Sequence, residues 1–163
     1  MVPVQTQILD RIGERLQNIT EGNGYFTTLQ KIERANLEPF KNQDMPAINY
    51  HMADDNLVKP INTAQHERVI SVLIEYYTLT RDRIFTDISN ELYADISIAL
   101  ERDVSAPLVT DQVSIRLGKL VARLEFETMT PAIGKGQSPY CGAIVLVRIT
   151  YWVDRHDPFT LID

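Results

Sequence analysis

Asp87, Glu91 and Asp95 recur at intervals of four residues, the spacing that stacks side chains on one face of a helix. Three carboxylates so placed could in principle hold a divalent cation. Hard cations take ~6–8 oxygen ligands, and no further ligand group lies close by in the sequence. A solvated acidic face, or a strip that meets a basic partner, is the plainer reading. Asp54-Asp55-Asn56 resembles part of a calcium loop, but the glycine and the distal glutamate that complete such a loop are missing, so a turn is expected there. His51, His66 and His156 sit near three different strand ends with no paired spacing of the kind zinc sites use. Cys141 is followed by glycine and has no histidine near it in sequence. A thiol nucleophile needs an activating base, so Cys141 reads as a structural cysteine. Gly134-Lys135-Gly136 lacks the glycine pattern and the Ser/Thr of a phosphate loop, and there is no Gly-x-Ser-x-Gly elbow. The expectation is a protein with no catalytic residues, no metal and no cofactor.

The elements that must carry these residues begin with a helix over Pro3–Thr20, in which Ile8, Ile12, Leu16 and Ile19 share a face. Glu21-Gly22-Asn23-Gly24 is expected to end it, with a glycine in the left-handed conformation. Tyr25–Arg34, rich in threonine and aromatics, reads as a strand. Pro39 and Lys41–Asp44 mark a loop, Pro46–Met52 a short strand, and Ala53–Ala64 a polar connection. His66–Thr80 alternates as a long strand, and Arg81–Arg102 carries the stripe Phe85, Ile88, Leu92, Ile96 and Ala99 of a second helix. After an irregular link, Gly118–Thr130 alternates with Leu120, Ala122, Leu124 and Phe126 inward and Val121, Arg123, Glu125 and Glu127 outward. Thr130–Gly142 is a Gly/Pro/Ser-rich loop, longer than a hairpin needs. The organising strand is the last, Cys141–Asp154. Its row Ala143, Val145, Val147, Ile149 and Tyr151 is wholly apolar, whereas Ile144, Leu146, Arg148, Thr150 and Trp152 form a mixed row. The order predicts an α+β domain: a mainly antiparallel sheet of four to five strands with two helices on one face.

Composition bounds the function. The chain has 163 residues, a net charge of −6, 44% hydrophobic and 23% charged residues, and one cysteine. One domain over residues 1–163 is the default, and a core of that size needs no disulfide staple. A lone cysteine fits a reducing, intracellular folding environment. There is no Lys/Arg cluster to neutralise phosphates, which argues against a nucleic-acid groove. Neither a signal peptide nor a membrane span is expected.

The order of parts is similar to the tail terminator, or tail completion, proteins of long-tailed bacteriophages. An amphipathic helix leads to Gly-Tyr-Phe-Thr-Thr-Leu (24–29) and Met-Pro-Ala-Ile-Asn-Tyr (45–50). After a long strand comes a helix with Leu-Tyr-Ala-Asp-Ile-Ser-Ile-Ala-Leu (92–100). A hairpin ends in Val-Leu-Val-Arg-Ile-Thr-Tyr (145–151), with Asp157-Pro158 beyond. The resemblance spans nearly the whole chain and rests on pattern and order rather than on a catalytic signature. The Ala53–Ala64 connection cannot be aligned.

It implies a structural virion protein of the neck region, assembled in the host bacterial cytoplasm. Such a protein forms a hexameric ring with copies of itself, caps the head-proximal end of the tail tube, ends its polymerisation and presents a docking surface to head-completion or connector proteins. A globule of this length has a radius of gyration of ~15 Å, so six in a ring leave a lumen wide enough for duplex DNA to pass. An acidic conduit would not hold that DNA. Within this reading the ring or tube contact falls on the last hairpin, with Arg123, Glu125, Glu127, Lys135 and Trp152 as interface residues. The opposing reading is a solvated edge with a mobile tip. Another head–tail joining protein, or a small enzyme with an unrecognised site, are the competing classes.

Overall fold

The computed structural model describes residues 2–61, 64–80, 83–101, 121–133, 140–157 and 159. Its frame is one five-stranded sheet with the order β1-β2-β3-β5-β4. The strands are β1 (Lys31–Arg34), β2 (Ala47–Pro60), β3 (Gln65–Leu79), β4 (Arg123–Ile133) and β5 (Tyr140–Asp154). Among the described residues β1 and β2 run parallel and the other pairings are antiparallel. Two α-helices among the described residues, α1 (Val4–Leu16) and α2 (Phe85–Glu101), give an α+β architecture. The expected fold class is the observed one.

The apolar row of β5 does what its sequence dictates. Ala143, Val145, Val147, Ile149 and Tyr151 are all at most 1% exposed. They stand in register with Tyr76, Ile74, Val72, Ile70 and Arg68 of β3. The core cluster joins this row to Ile8, Ile12 and Leu16 of α1 and Leu92, Ile96 and Leu100 of α2, so both helices lie on that face. Each such aliphatic side chain contributes ~1.5–3 kcal/mol relative to an exposed one. Gly142 lets β5 approach β3: a Cβ there would collide with the Tyr76 carbonyl oxygen. The buried Arg15 donates from Nη1 to the Leu100 carbonyl at 3.3 Å, placing a cation at the carbonyl end of α2, where the helix dipole favours it.

Several boundaries differ from the sequence reading. α1 ends at Leu16, and Gly24 (φ 85°) caps a separate 3-10 turn at Glu21–Asn23 rather than the helix. Of the expected strand Tyr25–Arg34, only Lys31–Arg34 is extended against a neighbour. The polar connection Ala53–Ala64 is corrected most: through Pro60 it continues β2, paired with β3 from Asp54↔Ser71 to Pro60↔His66 around two register shifts. Residues 56–60 are all exposed, and a strand end that stands in water need not alternate apolar and polar residues, so its pattern reads as a loop.

At the other edge, β4 begins at Arg123 and extends to Ile133, so the expected loop from Thr130 is paired at both its ends. A register shift between Phe126 and Thr128 breaks the simple alternation: Leu124 and Phe126 face the core, and after the shift Met129 does. Ahead of the strand, Val121 is buried and Ala122 exposed, the reverse of the expected rows. The residues expected to start the strand at Gly118, and the loop centre 134–139, lie outside the described residues.

Candidate functional site

The face of the sheet turned away from both helices carries the second row of β5. Ile144 and Trp152 are 37% and 38% exposed at its two ends, and Arg148 projects between them. The row is not uniformly wet, since Val69, Ser71 and Thr150 are buried near its middle. On β4, Arg123 lies opposite Thr150 and Glu125 opposite Arg148, which places both charges on the same face. Glu127 sits at the register shift, and its Oε1 is 3.4 Å from Arg148 Nη1. Arg123 Nη1 is 3.5 Å from Glu125 Oε1. The four side chains are 42–57% exposed, so they alternate in sign across an open surface. Trp152 continues the row, its Nε1 donating to Glu67 at 3.2 Å.

Of the five interface residues named from the sequence, Arg123, Glu125, Glu127 and Trp152 are thus brought to one face; Lys135 lies outside the described residues. Arg148 was missed as a member, although it is the sole charge in the run Ala143–Tyr151. That isolation was the available signal. Tyr151, next to Trp152 in sequence, points the other way and is fully buried.

The acidic helix strip is overturned by α2. Asp95 is 0% exposed and accepts the backbone N–H groups of Phe26 and Thr27, each at 2.9 Å. Burial pushes its carboxyl above the ordinary range, opposed by those two hydrogen bonds. Glu91 is engaged by Arg83 at 2.6 Å, and Asp87 is exposed in the first turn. Asp95 therefore ties the segment after Gly24 to α2 and does not belong to a solvated strip.

Asp55, expected in a turn, is a hub of side-chain bonds at the root of the hairpin. It accepts from Gln5 Nε2 at 2.9 Å, Arg68 Nε at 3.1 Å and the Tyr151 hydroxyl at 3.3 Å. Burial first, and then the Asp55 charge, push the Tyr151 hydroxyl up to about 12. Cys141 is buried, and burial alone pushes its thiol upward, away from a reactive thiolate. Among the described residues no group of three His, Cys, Asp or Glu side chains is placed to hold a metal ion. Nor is any helix among them long and apolar enough to cross a membrane.

No family model matches the chain, and no curated protein matches it. Among solved structures it is similar to a chain of the virion of a native gene transfer agent particle. The identity is 11% and the TM-score 0.43, over 91% of this chain and 90% of that one. A likeness at that level carries no functional conclusion, and function is argued from the chain itself.

Proposed function

We propose that the chain is a non-catalytic structural protein of a phage-type virion and, within that class, a tail terminator. In this reading copies of the chain form a ring, hexameric in the family it resembles, on the head-proximal end of the tail tube. The ring ends tube growth and offers its far side to a head-completion or connector protein, while DNA passes through the lumen without specific contact. The observation that carries the reading is the alternating charge of Arg123, Glu125, Arg148 and Glu127 beside a half-exposed tryptophan on a sheet face that neither helix covers. Aromatic residues and arginine are enriched at protein interfaces, and paired signs fix register and reject wrong partners.

The sheet also supports a head-to-tail contact. Among the described residues no strand pairs with the outer side of β1 or of β4. One edge of a copy can thus meet a different edge of the next, the geometry that closes rings. Purified protein mixed with tail tubes tests this in the electron microscope. A ring at one end of each tube is the expected image; decoration along the tube, or none, would refute it.

A further inference from the structure

The β2–β3 hairpin ends in an apolar tip. Leu57 and Val58 are each 50% exposed and Ile61 is 41% exposed. Lys59 lies between them and makes no ion pair among the described residues. Asp55, through Gln5, Arg68 and Tyr151, fixes the base of this arm to α1 and β5. The arm thus presents three aliphatic side chains that no described residue of its own chain covers.

At the opposite end of the same two strands lies a groove of about 540 Å³, floored by Phe40, Met45, Tyr77 and Tyr140 and rimmed by Glu38 and Glu75. Phe40 and Tyr77 pack at 5.6 Å between ring centroids. Its outer wall is preformed. The Asn36 side chain donates from Nδ2 to the Glu38 carbonyl at 2.9 Å and accepts the Glu38 N–H at 3.0 Å, and Asn49 clamps the Asn36 backbone from the sheet at 2.9 and 3.2 Å. That wall holds Leu37 at 97% exposure. Lys31, whose Nζ lies 5.7 Å from the centroid of the Phe40 ring, is paired with Glu33 at 3.0 Å and Asp44 at 3.8 Å, so Glu38 and Glu75 are the carboxylates that line the groove itself.

We propose that the hairpin tip of one copy seats in this groove of a second copy. Leu57, Val58 and Ile61 meet the aromatic floor and Leu37, and Lys59 meets Glu38 and Glu75. Tip and groove are complementary in both respects that decide docking: apolar knob against apolar floor, and a cation between two carboxylates. Along β3, His66 opposite Pro60 and Glu75 in the groove are nine residues apart, ~30 Å at 3.3 Å per residue, so the tip of a chain cannot reach its own groove. The contact joins two different patches and is heterologous, the kind that repeats around a ring. It deepens the assembly reading above by naming the self-contact, and rests on that reading only for the ring as its end product.

The test is sedimentation of purified full-length chain over a concentration series, with every variant first checked for an unchanged melt. Val58→Asp and Leu37→Asp change exposed positions and are expected to weaken self-association at least tenfold each. Lys59→Glu and Glu38→Lys should each weaken it, and the two together in one chain should restore it. Mixing Val58→Asp with Leu37→Asp protein should give dimers and nothing larger, since one working tip and one working groove remain. Self-association unmoved by Val58→Asp, no rescue by the charge exchange, or a wild type monomeric at every concentration would each overturn the docking. Tube capping by the same preparations reads the terminator role separately. Wild type that caps tubes with association indifferent to Val58→Asp rejects the groove alone; association sensitive to Val58→Asp from protein that caps nothing rejects the terminator role alone.

Discussion

Glu125 stands directly across the β4–β5 ladder from Arg148, whose guanidinium also reaches Glu127 at 3.4 Å. One arginine thus faces two carboxylates from its neighbouring strand, on a surface open to water. Exposed pairs of this kind contribute ~0–1 kcal/mol to folding. Their arrangement matters more for what the surface can meet than for the fold beneath it.

Arg148→Glu should therefore leave the thermal midpoint within a few degrees of wild type, given about 1 kcal/mol at most at an exposed pair. It should nevertheless impair ring formation or capping, as should exchanging Arg123 and Glu125. Melting curves alongside electron microscopy of tails made with each variant separate the two effects. Capped tails of uniform length would remove this face from the interface.

Val147 lies in the fully buried row of β5. Val147→Asp would bury a carboxylate with no partner, at a cost of several kcal/mol, comparable with the whole stability of a small domain. Insoluble or non-cooperatively melting protein is expected. A soluble variant with a sharp transition would contradict the packing of β5.

Asp95 supplies a pH dependence whose sign can be worked out. Its folded-state pKa is raised, so the fold favours the protonated form more than the unfolded chain does. The resulting stability is fully present below the ordinary value of 3.8 and is lost as pH rises through the raised folded value. Urea unfolding of wild type and Asp95→Asn, compared pH by pH, should show wild type losing ground to the variant as pH climbs through that window. Parallel curves would mean that the carboxyl feels no net burial.

Asp55→Ala should cost at least about 2 kcal/mol, because a single hydrogen bond to a charged acceptor is worth ~1.5–3 kcal/mol and Asp55 also accepts from the buried Tyr151 hydroxyl. Hydrogen exchange should speed up selectively at the amides of Asp54, Asn56, Leu57, Val58 and Lys59 while the α2 amides stay protected. Uniform acceleration across both would show that Asp55 supports the whole fold and not the arm.

How much of this was legible in the sequence depends on what each side chain faces. The stripe Ile8, Ile12 and Leu16 announces a buried helix face, and the two rows of β5 announce a covered and an open side, because period and burial coincide there. The outer half of β2 is hidden: Asp54 and Asn56 stand in water and Asp55 is held by polar partners distant in sequence, so all three look like turn residues although they are paired with β3. The shift at Phe126/Thr128 defeats a strict two-residue period on β4. Asp95 looked like its solvated neighbours because its partners are backbone N–H groups up to 69 residues away. Charges on β4 could be read as outward. That Arg148 meets them could not, since strand register is a property of the assembled sheet.

The central claim is that this chain ends tail growth. Tube length in particles assembled with and without the chain tests it most directly, by electron microscopy of lysates from a phage or prophage carrying the gene and from its deletion. The account expects uniform, head-joined tails with the gene, overlong or headless tubes without it, and uniform tails again on complementation. Uniform tails joined to heads in the deletion would contradict it.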